Sequence, residues 1–267
     1  MLDLNSDLLL KVSNIAIQAG SEIMKYYPAD NEIITKVDNS PLTQADLSSN
    51  NLIIKELRKI NQTTSILSEE SLVDWVERKQ WNQYWLIDPL DGTKEFINKN
   101  GEFTVNIALI EQHKPVLGII YVPTKSLLYF AKKNYGAFKI FSSSQLVNLD
   151  EAQSISISQN QINNNIRIIG SRSHSNDIFK SWIKERFNKY SLITKGSSIK
   201  FCEIAEGKAD IYPRFGATSE WDIAAGHIIL EEAGGFLKDI GGNNILYNNK
   251  ESLINPEFIA TNNLDFI

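Results

Sequence analysis

The sequence predicts an α/β protein whose first half is α+β and whose second half is α/β. Three observations lead to this fold class. Two amphipathic helical patterns open the chain, a series of short apolar strands follows them, and strand and helix patterns alternate after residue 144. The polar stretch over 142–144 separates the two patterns, so we expect one domain over 1–143 and a second over 144–267.

The elements predicted in the first half come in the order helix, helix and then strands. The first helix carries apolar residues at helical spacing from Leu8 to Ile23 and ends before Pro28. A second helix begins at Thr43, which has the spacing of a capping box with Asp46. Strands are predicted over 65–68, 84–87, 103–110, 116–122, 127–131 and 137–141, and the third and fourth form a hairpin.

In the second half, predicted strands alternate with predicted helices. The strands cover 167–169, 191–194 and 209–212, and the helices cover 176–187, 198–206 and 222–233. The last helix ends at Gly234 and Gly235, a common C-terminal stop. Cys202 falls inside a helical apolar stretch, so we expect it to pack in the core.

The composition excludes several classes of protein. Hydrophobic residues make up 42% and charged residues 22%, as in ordinary globular domains, and the net charge of −5 argues against a nucleic acid polymer as partner. One cysteine and three histidines exclude a disulfide framework and a thiolate zinc cluster. Any metal should therefore be held by oxygen, which favours a hard ion such as Mg²⁺.

The N-terminus and the apolar runs bear on the cellular location. No apolar run approaches the roughly 20 residues needed to cross a bilayer. The N-terminal segment carries Asp3 and Asp7 and lacks the basic residues of a signal peptide. We therefore expect a cytoplasmic protein. Peripheral attachment to the inner membrane and the oligomeric state stay open.

The most informative segment, residues 85–93, reads Trp-Leu-Ile-Asp-Pro-Leu-Asp-Gly-Thr. An apolar strand runs into Asp88 and Asp91, which lie three apart in a turn that Pro89 and Gly92 sharpen. Both carboxylates can face one point, and the carbonyl of Leu90 offers a further oxygen ligand. A β-turn with solvated aspartates is the alternative for this motif taken alone.

Two other acidic segments occur at the ends of predicted elements. Glu69 and Glu70 follow a strand, and Asp222 begins the last apolar helix. The small residues over 224–226 let the start of that helix approach another group closely, and its N–H groups favour an anion such as phosphate. Taken singly, the glutamates read as a solvated pair and Asp222 as a plain N-cap.

In this order and spacing, segments 69–70, 88–93 and 221–226 resemble the motifs of the lithium-sensitive, Mg²⁺-dependent phosphatases of the inositol monophosphatase superfamily. The resemblance narrows, over nearly the whole chain, to its bacterial 3′(2′),5′-bisphosphate nucleotidases through segments 38–46, 67–70, 84–106, 171–174, 196–202 and 212–216. It implies a layered αβαβα sandwich of the inositol monophosphatase and fructose-1,6-bisphosphatase type. The active site would lie between the two halves.

The resemblance also implies roles for individual residues. Two or three Mg²⁺ ions would be held by Glu69, Asp88, the Leu90 carbonyl, Asp91 and Asp222. Thr93 paired with Asp46 would activate a water, with turn capping and helix capping as the alternatives. The substrate would be bound by Glu69, Leu90, Asp91, Gly92, Thr93, Ser171, His174, Gly196, Lys200 and Asp222, with its phosphate against the N–H groups of Gly92 and Thr93 and the start of the 222 helix.

Three basic residues are further candidates for binding the nucleotide phosphates. Arg172 and Arg214 are candidate anion ligands, although a surface salt bridge explains each as well. For Lys200, a solvated position on its helix is the alternative. We assign His174 to the nucleotide and not to a metal, because no cluster of His or Cys accompanies it.

These expectations describe a Mg²⁺-dependent phosphomonoesterase. It would convert adenosine 3′,5′-bisphosphate (PAP) to AMP and phosphate, and its 5′-sulfated analogue PAPS to adenosine 5′-phosphosulfate, in sulfur assimilation. The alternatives are an inositol monophosphatase or sugar phosphatase on the same fold, and an inactive nucleotide-binding regulator. The presence of all four acidic ligands argues against the regulator. The preference among PAP, PAPS and 2′,5′-bisphosphates stays open.

Overall fold

The computed structural model describes residues 2–28, 33–35, 41–159, 165–171 and 177–267. In this part of the chain, helices and two main β-sheets form alternating layers, and the predicted αβαβα architecture is confirmed. Two helices cover the outer face of the first sheet. Two more lie between the sheets, and one covers the outer face of the second sheet. None of the helices in the described ranges is long and apolar enough to cross a membrane.

The outer helices of the first half form where the sequence predicts them. Helix α1 spans Ser6–Tyr26, and its N-cap Asn5 accepts a hydrogen bond from the N–H of Leu8 at 2.8 Å. A two-stranded ribbon, β1 (Ile34–Thr35) and β2 (Pro41–Leu42), precedes helix α2, which spans Gln44–Ile60.

The first sheet contains seven strands within the described residues. They are β3 (Ser65–Ser68), β4 (Gln83–Asp91), β5 (Thr104–Glu111), β6 (Lys114–Val122), β7 (Leu127–Lys132), β8 (Gly136–Phe141) and β9 (Gln153–Ile155), paired in chain order. Only the pairing of β3 with β4 is parallel. Strand β9 comes from beyond residue 144, so the first sheet takes one strand from the segment after the expected boundary. The division at 143/144 itself stays a prediction.

Alternation along β4 and β5 explains the two cores of the first sheet. Trp85 and Ile107 face α1 and α2, whereas Leu86 and Ala108 face the helices between the sheets. Because both faces are covered, these strands read as continuous apolar runs. The short helices α3 (Trp75–Arg78) and α4 (Thr93–Ile97) and a 3₁₀ turn at Pro123–Lys125 complete this half, and the sequence predicted none of the three.

The second sheet has the order β11-β10-β12-β14-β13. Its strands are β10 (Ile166–Ser171), β11 (Tyr190–Lys195), β12 (Ile211–Arg214), β13 (Phe236–Asp239) and β14 (Phe258–Thr261). Strand β10 pairs in parallel with β11 and β12, and β14 runs antiparallel to both of its neighbours. Strands β13 and β14 were not predicted from the sequence.

The helices of the second half are α5 (Asp177–Arg186), α6 (Ile199–Ala205) and α7 (Glu220–Glu232), and a 3₁₀ turn at Leu264–Phe266 ends the fold. Helix α7 is apolar on nearly all sides because it lies between the two sheets. Cys202 in α6 is fully buried, which confirms its predicted place in the core.

Two glycines allow α7 to pack closely against its neighbours. A Cβ added at Gly118 on β6 would lie 2.4 Å from Ile228 Cγ2 and 2.6 Å from the carbonyl oxygen of Ala225. A Cβ at Gly226 would lie 2.5 Å from the ring of Phe201 in α6. The small residues over 224–226 therefore serve the packing of α7, and at Gly226 the close neighbour is an aromatic ring.

We expect Gly118→Ala to lower the free energy of unfolding by about 1–3 kcal/mol, because the added methyl group overpacks the contact with α7. Thermal or urea unfolding followed by circular dichroism measures the change. Gly216→Ala is the matched control, since a Cβ there meets no atom closer than 3.7 Å. Equal stability of the two variants would contradict this account of the packing.

Candidate active site

The acidic segments singled out in the sequence meet at one cavity of about 260 Å³. It lies where β3 and β4 end and where α4, α6 and α7 begin. The acidic side chains that line it are Glu69, Asp88, Asp91, Glu95 and Asp222, and the cationic ones are Lys94, Lys200 and Arg214. We call these two sets of residues the acidic side and the basic side of the cavity.

A bulge in β4 turns Asp88 and Asp91 towards this cavity. Asp88 pairs with Asn106, and Asp91 pairs with Thr104. Between these two pairs β4 advances by three residues and β5 by two, so β4 contains one extra residue. Pro89 has no N–H for the ladder, and the N–H of Leu90 donates to Asp88 Oδ1 at 3.1 Å. The turn predicted at Asp88 to Asp91 is therefore wrong, because the strand continues through Asp91 with one extra residue, and so is the β-turn alternative.

Burial and the neighbouring carboxylates raise the pKa of two acidic residues, Asp88 and Asp222. Burial raises the pKa of Asp88 well above its ordinary value, and the neighbouring charges of Glu69, Asp91 and Asp222 raise it further. The pKa of Asp222 is also raised well above its usual range by burial and by Asp91 and Glu69. The positive charge of Arg214 opposes this shift at Asp222 only in part.

Asp222 holds the first turn of α7 together, but it is not the N-cap. Ser219 takes that position, and Asp222 is the third helical residue of a capping box, with its Oδ2 accepting from the N–H of Ser219 at 2.9 Å. The N–H of Glu220 donates to the carbonyl of Leu253 at 2.9 Å. Two early N–H groups of α7 are therefore already used. The predicted phosphate contact at this helix start stays a prediction.

Asp46 and Thr93 lie within hydrogen-bond distance. Thr93 Oγ donates to Asp46 Oδ1 at 3.0 Å, while Asp46 Oδ2 accepts from the N–H of Thr43 at 2.8 Å and from its hydroxyl at 2.6 Å. Asp46 is thus both the capping-box acid of α2 and the partner of Thr93. Burial raises its pKa despite these donors. The roles of the two residues towards a water stay predictions.

Gly92 makes the sharp entry into α4 possible. It has φ +90°, and a Cβ there would lie 3.1 Å from the carbonyl oxygen of Glu102. As the N-cap of α4 it has no side chain to bond the first turn, which begins with Thr93 and Lys94 beside the cavity. The N–H groups of Gly92 and Thr93 are the ones expected to bind phosphate.

Lys200 lines the cavity and is buried rather than solvated. Only 5% of its surface is exposed, and burial lowers its pKa to about 8. Its Nζ donates to the carbonyl of Ser197 and lies 5.3 Å from the ring centre of Tyr212. The solvated-helix alternative for Lys200 is therefore wrong.

Two cavity residues carry buried polar atoms that have no hydrogen-bond partner among the described residues. These atoms are the hydroxyl oxygen of Ser197 and Nε of Arg214. Ser197 also has φ +46°, an uncommon conformation for serine. Unsatisfied polar atoms and local strain together point to a ligand at this place. The sequence analysis missed Ser197, although it lies inside a motif that carried the resemblance.

The other expected nucleotide contacts differ in their placement. Ser171 ends β10 and lines the cavity. Gly196 is not among the lining residues, and its N–H donates to Glu102 Oε2 at 2.8 Å. A Cβ at Gly196 would lie 2.6 Å from Glu95 Cγ, so it also permits a close approach of the two halves. His174 and Arg172 lie outside the described residues.

The donor set fits a divalent cation chemically, although the ligands do not form a closed metal cluster. Within the described ranges, no group of three or more His, Cys, Asp or Glu residues is arranged to hold a metal ion. The side chains at the acidic side nevertheless offer only oxygen, together with the carbonyl of Leu90. A hard divalent cation would relieve the repulsion between these carboxylates, which contributes to the raised pKa of Asp88 and of Asp222.

Comparison with known proteins places these features in a family. The model described as the inositol monophosphatase family matches residues 5–264. The chain is 40% identical to 3′(2′),5′-bisphosphate nucleotidase CysQ of Salmonella typhimurium, covering 95% of this chain and 99% of that protein. It is 42% identical to the CysQ of Buchnera aphidicola, covering 95% and 93%.

A solved structure agrees with these sequence relatives. The crystal structure of CysQ from Bacteroides thetaiotaomicron, a bacterial member of the inositol monophosphatase family, superposes with a TM-score of 0.86 at 38% identity and covers 97% of this chain and 99% of that one. Family match, sequence identity and fold agree over nearly the full length. The chain therefore belongs to the inositol monophosphatase family.

Proposed function

We propose that this protein is a Mg²⁺-dependent 3′(2′),5′-bisphosphate nucleotidase that hydrolyses PAP to AMP and phosphate. Water adds to the 3′-phosphorus, the bond between phosphorus and the ribose 3′-oxygen breaks, and that oxygen leaves with a proton. The observation that carries the proposal is that four of the acidic residues line one cavity together with the buried Lys200 and with Arg214. The CysQ relatives support the same activity. Hydrolysis of PAPS, a place in sulfur assimilation and sensitivity to Li⁺ belong to this proposal.

The acidic side would hold two or three Mg²⁺ ions through Glu69, Asp88, the Leu90 carbonyl, Asp91 and Asp222. When bound, these ions neutralise the phosphate and lower the pKa of a water. The protein contributes the orientation of the oxygens. One oxygen of each aspartate accepts a backbone N–H, so the carboxylates are held in place before any ligand arrives.

Thr93 and Asp46 would orient the attacking water. A hydroxyl has one proton, and the hydroxyl of Thr93 lies 3.0 Å from Asp46 Oδ1 and 3.3 Å from the carbonyl of Leu90. Asp46 is the stronger acceptor, so the proton points to it and the lone pairs of Thr93 Oγ face the cavity. The water can then donate a proton to Thr93 Oγ.

The basic side would bind the second phosphate and the nucleoside of the substrate. Lys200 and Arg214 supply positive charge, and the Ser197 hydroxyl and Arg214 Nε supply donors that lack partners among the described residues. A substrate with a single phosphate would leave these buried donors unpaired. The basic side therefore favours a bisphosphate over inositol 1-phosphate or a sugar monophosphate.

The first test compares substrates. We expect kcat/KM for PAP to exceed that for inositol 1-phosphate by at least about a hundredfold, the value of two hydrogen bonds to charged groups. It should also exceed kcat/KM for fructose 1,6-bisphosphate, which has a second phosphate but no nucleoside. Steady-state release of phosphate at fixed Mg²⁺ measures all three. A preference for inositol 1-phosphate or fructose 1,6-bisphosphate would defeat the proposal, and hydrolysis of none would favour the inactive regulator.

The second test removes one acidic ligand. We expect Asp91→Asn to lower kcat/KM for PAP by more than about a hundredfold. Loss of a direct metal ligand weakens metal binding more than loss of a residue that only hydrogen-bonds a ligand. Phosphate release and calorimetric titration with Mn²⁺ measure the effect. Asp150→Asn, at an exposed aspartate far from the cavity in sequence, is the control. Undiminished activity of Asp91→Asn in Mg²⁺ would refute the ligand assignment.

The third test uses the lowered pKa of Lys200. Lys200 is charged below its pKa of about 8 and neutral above it. We expect KM for PAP to rise above pH 8, approaching about tenfold per pH unit, as the charge is lost. Lys200→Arg keeps the charge at all these pH values and should flatten the profile. The same rise in wild type and Lys200→Arg would show that another group causes it.

A further inference from the structure

Ser198 connects the acidic residues of the two halves, and no role follows for it from the proposed reaction. It is 2% exposed and stands at the N-cap of α6. A serine at this position usually caps the helix with its hydroxyl, but the hydroxyl of Ser198 makes no such bond. Its hydrogen bonds go elsewhere.

Both polar groups of Ser198 are directed at Asp91. The N–H donates to Asp91 Oδ2 at 2.6 Å, and the hydroxyl lies 2.7 Å from the same oxygen. The amide of Asn106 approaches this oxygen at 3.3 Å. Three donors therefore surround Oδ2 of Asp91, while Oδ1 accepts no hydrogen bond from the described residues.

The same hydroxyl reaches the backbone that carries Asp222. The single proton of this hydroxyl is shared between Asp91 Oδ2 and the carbonyl oxygen of Asp222, which lies 2.7 Å from Ser198 Oγ, and the same Oγ accepts from Asn106 Nδ2 at 2.9 Å. Asn106 is in turn oriented by the hydroxyl of Thr104, which donates to Asn106 Oδ1 at 2.9 Å. One buried side chain thus connects β4, β5, α6 and the first turn of α7.

We infer that Ser198 is a positioning residue that fixes Asp91 and Asp222 relative to each other, so that Asp91 presents a single oxygen to a divalent cation. This inference rests on the proposed function for the identity of the ligands. With Oδ2 saturated, only Oδ1 of Asp91 can turn to the cavity. With its carbonyl held, Asp222 keeps its distance from β4.

Ser198→Ala tests the inference because it removes the hydroxyl and keeps the N–H. We expect the dissociation constant for Mn²⁺, measured by calorimetry without substrate, to rise about 10–100-fold, the usual cost of losing an outer-shell partner. The Mg²⁺ concentration for half-maximal activity should rise in parallel, and kcat should recover at high Mg²⁺. A melting temperature close to that of wild type would separate this effect from a general loss of structure.

Two further variants complete the experiment. Ser197→Ala is the matched control: we expect a higher KM for PAP and an unchanged Mn²⁺ dissociation constant. Asn106→Ala removes the third donor to Asp91 and should weaken Mn²⁺ binding, which keeps the test open if Ser198→Ala does not fold. Wild-type Mn²⁺ affinity in folded Ser198→Ala would overturn the inference, as would equal losses in Ser198→Ala and Ser197→Ala.

The outcomes separate this inference from the proposed function. If wild type hydrolyses PAP and Ser198→Ala binds Mn²⁺ normally, only the positioning role fails. If wild type does not hydrolyse PAP but Ser198→Ala loses Mn²⁺ affinity, the substrate assignment fails and the positioning role stands. If wild type binds no Mn²⁺, both are overturned.

Discussion

The packing of α7 between the two sheets determines how far Asp222 lies from Asp88 and Asp91. Asp222 comes from α7, whereas Asp88 and Asp91 come from β4. These residues meet only because α7 lies directly on the first sheet, where Gly118 leaves no side chain between β6 and the helix. A small change in this contact would displace one acidic residue from the others, although no functional side chain takes part in it.

The burial of like charges is the second constraint, and the local backbone makes it tolerable. A buried carboxylate surrounded by others is unfavourable unless hydrogen bonds or a cation stabilise it. The bulge of β4 and the capping box of α7 supply N–H donors to Asp88 and Asp222, and the N–H before α6 supplies one to Asp91. The bulge and the capping box are common local structures, and here they also hold the carboxylates of the acidic side in place.

Local patterns in the sequence predicted those features that depend only on residues close together in the chain, such as helix caps. The capping box of Thr43 and Asp46 spans three residues, so its spacing alone indicates the start of α2, which the structure confirms. A local pattern could also be overlooked: the helix predicted over 222–233 begins at Glu220, and Ser219 forms a capping box with Asp222 at the same spacing as Thr43 and Asp46.

Contacts that join distant parts of the chain could not be predicted in this way. Asn106 and Ser198 are 92 residues apart, and their contact depends on the register of β5 and on where α6 begins. The burial of Lys200 likewise follows from the position of α6 between the sheets, whereas its sequence neighbours suit an exposed helix face equally well. Resemblance indicated which segments matter, and only the fold shows which atoms they bring together.

Strand β9 bears on how the molecule can move. It leaves the second half of the sequence to pair with β8, and Glu206 of the second half contacts Tyr129 and Lys139 on the same sheet. Moving the two halves apart about 142–144 would separate β9 from β8 or β9 from the chain that follows it, and would break the part-buried contacts of Glu206. The halves are therefore joined by strand pairing and by polar side chains as well as by the peptide chain.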